Sequence, residues 1–204
     1  MKIADNTSIF VLASANPEKV KELREILTGF GINVITRRDL GVDIEVEETG
    51  ETFIDNATLK AKAICEATGL PSIADDSGLI VDALGGAPGL YTSSFGGENL
   101  DSEGRCHYLL EVMDGKEQRG ATFVTSIVCA FPDGVLLTAL GECRGSIATS
   151  PRGKNGFGYD PVFISEGMDR TMAELKPEEK HGISHRGKAL KQFARLMRDI
   201  VPGV

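Results

Sequence analysis

The chain has 204 residues, 41% of them hydrophobic, and a formal net charge of −8. That length buries a core in one or two domains. The acidic balance excludes a protein that grips a nucleic-acid backbone through a basic face, but it allows a nucleotide ligand whose phosphates a local metal neutralises. Cys65, Cys106, Cys129 and Cys143 are widely separated and form no CxxC, and the three histidines form no HExxH. Zinc and dithiol redox chemistry are therefore disfavoured, and for three of the four cysteines, which fall in helical or strand patterns, the role of a reduced small hydrophobe is expected. The opening MKIADNTSIF holds no apolar leader core, and no apolar run reaches membrane-spanning length. A cytoplasmic protein with neither a membrane nor a nucleic-acid partner is expected.

The elements follow in chain order. The apolar run Ile9–Ala13 predicts a buried strand over 9–14. Val20, Leu23, Ile26, Leu27 and Phe30 then recur at helical spacing over 17–30, with Asn16 as N-cap and Pro17 at the first helical position. A strand over 32–37 and a polar stretch to Gly50 precede a helix over 52–68, which carries Phe53, Ala57, Ala61, Ile64 and Cys65 on one face and stops at Gly69. Short strands are predicted at 72–75 and 79–83, on either side of an Asp pair. A helix over 101–114 turns Cys106, Leu109, Leu110 and Met113 inward. Residues 120–131 alternate as a strand, Pro132-Asp133-Gly134 turns, and 135–143 returns as the second arm. A loop and strand carry GFGYDPVF. A helix over 187–200, with Leu190, Phe193, Met197 and Ile200 inward, closes the chain. Helical crossovers beside a hairpin define a mixed α/β protein, with helices flanking a central mixed β-sheet.

Four segments carry chemistry. In Gly156-Phe157-Gly158-Tyr159-Asp160-Pro161, two aromatics offer faces for a flat ring, the glycines let backbone approach a ligand, and Asp160 offers a fixed acceptor. The alternative is an ordinary Gly-rich loop entering the buried strand. Ser14-Ala15-Asn16-Pro17-Glu18-Lys19 joins a strand to a helix start, where free N–H groups bind anions. Lys19 there opposes the helix dipole. Ser184-His185-Arg186-Gly187-Lys188 repeats the violation at the last helix, and two such violations point to a shared anion rather than to solvated turns. In Ala74-Asp75-Asp76-Ser77-Gly78, the acids stand at a strand end. Alternation sends them to opposite faces, so one of them enters a site. Glu45, Glu47 and Glu48 form an upstream acidic group, of which one member is expected to serve and two to be solvated. Mg²⁺ takes one or two carboxylates plus substrate phosphates.

Taken in order, SANPEK, EETGETFIDNA, ADDSGL, LGGAPG, GFGYDPVF and EEK with SHRGKAL resemble the inosine triphosphate pyrophosphatase family over essentially the whole chain, from about Ile9 to Leu196. The resemblance implies one domain over 1–204, built as two lobes with an active-site cleft, and a homodimer. It implies hydrolysis of non-standard purine nucleoside triphosphates (ITP, dITP, XTP) at the α-phosphorus with Mg²⁺. Ser14, Asn16 and Lys19 would then hold the triphosphate. Glu47 and Asp76 would be metal ligands, with Asp76 also the general base and Ser77 touching substrate. Phe157 would stack on the base beside Gly158, and Tyr159, Asp160, Lys180, His185 and Arg186 would complete the base and sugar pocket. One departure stands out: Ser94, in Tyr91-Thr92-Ser93-Ser94-Phe95, replaces an arginine common in the family. The rival readings are a nucleotide-binding regulator without turnover and a pyrophosphatase acting on pyrimidine or modified bases.

Overall fold

The computed structural model describes residues 9–200, apart from the side chain of Ile200. The reading of residues 1–8 and the inward placement of Ile200 fall outside the described residues. Six strands lie in the order β2-β1-β3-β4-β5-β6. They are β1 Ile9–Leu12, β2 Asn33–Thr36, β3 Ser72–Val81, β4 Gly120–Ala130, β5 Leu136–Ile147 and β6 Phe163–Ser165. The helices are α1 Pro17–Gly29, α2 Phe53–Thr68, α3 Ser102–Val112, α4 Pro177–Ile183 and α5 His185–Ile200. β1 pairs in parallel with β2 and β3, whereas β5 and β6 are antiparallel, so the sheet is mixed as the sequence predicts. A tight turn, closed by the Gly134 N–H on the Phe131 carbonyl at 2.9 Å, leads from β4 into β5.

The chain divides into two compact units. The first takes the chain through Asp76, with Thr125–Gly141 and Lys188 onward; the second is Ser77–Val124 with Glu142–Gly187. In the first, Phe10, Leu12 and Ile73 pack with Leu23, Ile26 and Leu27 of α1 and with Leu190, Phe193 and Met197 of α5. The alternate residues Val11 and Ala74 pack with Ala57, Ala61 and Ile64 of α2. Period-two strands thus meet two sets of amphipathic helices, one set on each face. In the second unit, Leu79, Val81, Phe123, Cys143 and Ile147 pack with Leu109 and Met113 of α3 and with Tyr159 and Phe163. Each such buried side chain contributes about 1.5–3 kcal/mol relative to exposure.

Three elements differ from the sequence-based expectation. β3 runs unbroken through the Asp pair that was predicted to separate two strands. Asp disfavours strands mainly because its charge cannot be buried alone, and here both carboxylates meet lysines. α4 was not anticipated: it has seven residues, with Pro177 at its start, and that is too short for a periodic apolar pattern. β5 continues to Ile147, past the predicted end at 143. All four cysteines are free and buried.

Candidate active site

The first cluster of polar residues belongs to the first unit. Strand alternation decides its form. Asp75 shares the parity of Ile73 and meets Lys19 of α1, whose Nζ lies 3.2 Å from Asp75 Oδ2. Asp76 shares the parity of Ala74 and meets Lys60 of α2, whose Nζ lies 2.9 Å from Asp76 Oδ1. The same ammonium stands 3.2 Å from Glu48 Oε1. The Thr125 hydroxyl donates to the Asp76 carbonyl at 3.2 Å and holds the strand there.

Burial pushes the Asp76 carboxyl above the ordinary aspartate range, against the pull of Lys60 and Lys19. Burial also works against the charge on Lys60, yet Asp76, Asp75 and Glu48 together hold its pKa above the usual lysine value. Asp76 therefore has a raised proton affinity, which suits a general base.

The start of α1 differs from a free anion-binding end. Asn16 Oδ1 already accepts the N–H groups of Glu18 and Lys19 at 2.9 and 3.2 Å. Ser14 Oγ in turn accepts the Asn16 N–H at 3.3 Å. The cap reading therefore holds in full. The oddly placed Lys19 has an internal counter-anion in Asp75.

The second cluster belongs to the second unit and gathers around Phe157, which is half-buried. Lys180 Nζ lies 4.9 Å from the ring centroid and Arg186 Cζ lies 5.3 Å from it. Both distances are within cation–π range and hold the ring in orientation. Arg186 Nη2 donates to Ser77 Oγ at 3.3 Å. Asp160, buried at the loop's end, accepts the Phe157 N–H at 2.8 Å and pairs with Lys180 at 2.7 Å. Gly156 makes this loop possible. Its φ is +72°, and a Cβ there would stand 2.0 Å from Asp160 Oδ2.

The basic turn at 184–186 is not solvated, because Ser184, His185 and Arg186 are 0, 5 and 2% exposed. Ser184 Oγ accepts the Gly187 N–H at 3.1 Å, the N-cap bond expected of it, and Ser184 also terminates α4. A Cβ on Gly187 would fall 1.8 Å from the His181 carbonyl, so only glycine fits where α5 begins. His181 and His185 are four residues apart, but they belong to different helices.

The structure thus gathers Ser77, Phe157, Asp160, Lys180 and Arg186, and separately Lys19, Asp75 and Asp76. Other predicted residues stand differently. Glu47 is exposed on its loop, and it is Glu48 that shares Lys60 with Asp76. Tyr159 is 2% exposed, its hydroxyl donates to the Thr92 carbonyl at 3.0 Å, and burial pushes its pKa up. His185 stacks on Phe123, with centroids 4.7 Å apart and planes at 11°. Gly158 has φ +61° and open space at its Cβ position, while its carbonyl accepts the Cys106 thiol at 3.3 Å. Burial, then the Asp160 charge, raises that thiol's pKa to about 12, which makes it unreactive.

Lys60 is the residue that sequence reasoning missed. Its signal was present: it stands one turn from the buried Asn56, Ala57 and Ile64, at a place on α2 where a lysine is poorly solvated and needs an acid to meet.

An aromatic ring flanked by cations, and a buried acid with raised proton affinity, on a mixed α/β sheet, suit a nucleotide-processing protein. The sequence matches the Ham1 family over residues 10–196, and the chain belongs to that family. A relative in Yersinia pseudotuberculosis, named dITP/XTP pyrophosphatase, is 47% identical over 193 residues, covering 93% of this chain and 98% of its own. One from Bacillus subtilis with the same name is 44% identical, covering 92 and 96%. Among solved structures, a HAM1 protein from Coxiella burnetii superposes with a TM-score of 0.84 at 41% identity, covering 94 and 98%. A nucleoside-triphosphatase / dITP/XTP pyrophosphatase from Mycobacterium abscessus gives 0.72 at 42% identity, covering 90 and 96%.

Proposed function

We propose that this chain hydrolyses non-standard purine nucleoside triphosphates, namely ITP, dITP and XTP, to the monophosphate and pyrophosphate, clearing them from the nucleotide pool. One observation carries the reading. Asp76 and Ser77 are consecutive on β3; the first is ion-paired to Lys60, and the second receives the guanidinium that faces Phe157. The residues proposed for hydrolysis and for base recognition thus include two neighbours in the chain, which supports the reading. The dITP/XTP pyrophosphatase names of the relatives support the substrate class.

Mg²⁺ fits the donor set. The available groups are carboxylate oxygens, and the Lys60 ammonium now neutralises Asp76 and Glu48. Among the described residues no group of three or more His, Cys, Asp or Glu side chains could hold an ion. The protein's share is therefore one or two carboxylates, with the rest from phosphate and water. We assign these to Asp76 and the exposed Glu47, leaving Glu48 on Lys60. A bound ion supplies positive charge to the phosphate oxygens.

The chain's own residues do the rest. The Asp76 carboxylate accepts the proton of the attacking water. The water oxygen bonds to the α-phosphorus as the bond from that phosphorus to the bridging oxygen breaks. Lys19, with Ser14 and Asn16, holds the departing β,γ-phosphates. Phe157 stacks on the base, and Arg186 and Lys180 offer donors to O6, which hypoxanthine and xanthine carry where adenine has an amino donor. O6 also occurs in guanine, so these donors separate adenine alone. Tyr159 and His185, whose rings are packed inside, steady the loop and the Arg186 turn. The enzyme acts in the cytoplasm as a homodimer, a state that light scattering tests. Among the described residues no helix is long and apolar enough to cross a membrane.

The test is a panel of ITP, XTP, dITP, GTP, ATP and dUTP, with and without Mg²⁺, scored for pyrophosphate against orthophosphate. Fastest pyrophosphate release from ITP, dITP and XTP is expected. Release of orthophosphate, fastest turnover of dUTP, or no turnover at all would each overturn the reading.

Two substitutions probe the assignments. Phe157→Ala is expected to weaken substrate binding by roughly 1–3 kcal/mol, the scale of base–aromatic stacking. An unchanged KM with a lowered Tm would instead make Phe157 a packing residue. Lys19→Ala is expected to raise the Kd of a non-hydrolysable triphosphate analogue by ~10-fold or more, the scale of a hydrogen bond to a charged group. IMP, which lacks the outer phosphates, should bind almost as before. Comparing the two ligands on one variant cancels any loss of stability from the broken Lys19–Asp75 ion pair, and equal losses would remove Lys19 from the outer phosphates.

A further inference from the structure

Within the second unit, two segments each carry a group assigned above to the substrate: β3 with Ser77, and the loop with Phe157. Thr92 bonds to both. Its Oγ1 accepts the N–H of Leu79, two residues past Ser77, at 2.9 Å and donates to the Gly89 carbonyl at 2.5 Å. Its own carbonyl accepts the Tyr159 hydroxyl at 3.0 Å. Leu79 and Tyr159 are 0 and 2% exposed, so water cannot readily replace either bond. In the same turn, the Ser94 hydroxyl donates to the Tyr91 carbonyl at 3.4 Å.

We propose that Thr92 is a positioning residue for base recognition, a clamp that fixes the register of Ser77 against the Phe157 loop. It rests on the reading that Ser77 and Phe157 meet the substrate. The hydroxyl sets β3 through Leu79. The carbonyl sets the loop through Tyr159, whose neighbour Asp160 holds the Phe157 N–H at 2.8 Å. Arg186, bonded to Ser77 and facing Phe157, is placed correctly only when both ends of the clamp are fixed. A loosened clamp therefore blurs the base site first and leaves the Asp76 chemistry in place.

Thr92→Val removes the hydroxyl at nearly constant volume and keeps the carbonyl. By hydrogen exchange, the Leu79 amide, which loses its acceptor, should open faster than in the wild type. KM for ITP should rise ~10-fold with kcat held within ~3-fold, the pattern of lost binding rather than lost chemistry. The preference for ITP over ATP should fall, and Thr92→Ser should restore all three. Wild-type exchange and KM in folded Thr92→Val overturn the proposal, as does an equal loss of kcat on every substrate. If Thr92→Val fails to fold, Tyr159→Phe opens the other end by removing one oxygen. Faster exchange at 157–160 with a raised KM supports the clamp, and unchanged values overturn it. Exchange needs no turnover, so an enzyme inactive on ITP sinks the assigned reaction while the clamp is still read.

Discussion

Asp76→Asn is expected to lower kcat with ITP by at least ~10²-fold, the range of lost general acid–base catalysis, while the protein stays folded. The size of the effect follows from the Asp76 environment. Its carboxylate is buried in a strand interior, ion-paired to Lys60 at 2.9 Å, and its pKa is raised chiefly by burial. A raised pKa makes the ionised form a better proton acceptor. It also moves the acid limb of the rate profile: activity should fall, as pH drops, through a pKa above the ordinary value of 3.8.

The same shift fixes the sign for stability. A carboxyl whose folded pKa lies above its unfolded one binds a proton more tightly when folded. Its favourable contribution is complete below the unfolded pKa and is lost as pH rises through the folded pKa. At neutral pH the charged Asp76 therefore opposes folding, and Lys60 keeps Glu48 as a partner after the substitution. Tm at neutral pH should accordingly be unchanged or higher in Asp76→Asn. Near-normal turnover would remove Asp76 as the base. A matching collapse of Tm would make its role structural.

The local rules that failed in the sequence mark the places where partners arrive from far along the chain. Periodicity located the strands and all the long helices, because burial on one face writes itself into spacing. Alternation placed Asp75 and Asp76 on opposite faces, and they do meet different helices. It could not show that β3 continues through them, because the lysines that neutralise the two acids lie 56 and 16 residues upstream. Lys19 and Arg186 were conspicuous as cations in first helical turns. What offsets them, Asp75 in one case and Ser77 with Phe157 in the other, is contact across long sequence separation. Tyr159 looked like a stacking face in GFGYDP, yet its ring is packed in the core and its hydroxyl engages Thr92, 67 residues earlier. Two aromatics separated by one glycine gave no means of telling which would face a ligand.

Arg186 is the residue whose substitution tests what the proposed site reads. It is 2% exposed, stands in the first turn of α5 against the dipole, and presents its fork to Ser77 and the Phe157 face. A planar guanidinium beside a stacking ring is well placed to donate to an acceptor on the edge of a stacked base. If it reads O6, Arg186→Ala should lower kcat/KM for ITP and XTP by about 10²-fold, since a lost charged donor and an unmet buried acceptor are each worth 1–3 kcal/mol. The poor ATP activity, which gains nothing from an O6 donor, should change little, and selectivity should collapse. If Arg186 instead holds phosphate, every triphosphate should lose by a similar factor and the ratio should survive. Arg186→Lys separates these further. It keeps the positive charge at Phe157 but not the fork, so it should retain most phosphate-dependent binding and still lose base selectivity. The ITP/ATP ratio in wild type, Arg186→Ala and Arg186→Lys, each checked for folding by Tm, is the deciding measurement. A preserved ratio in a folded variant defeats the base-reading role and moves Arg186 to the phosphates.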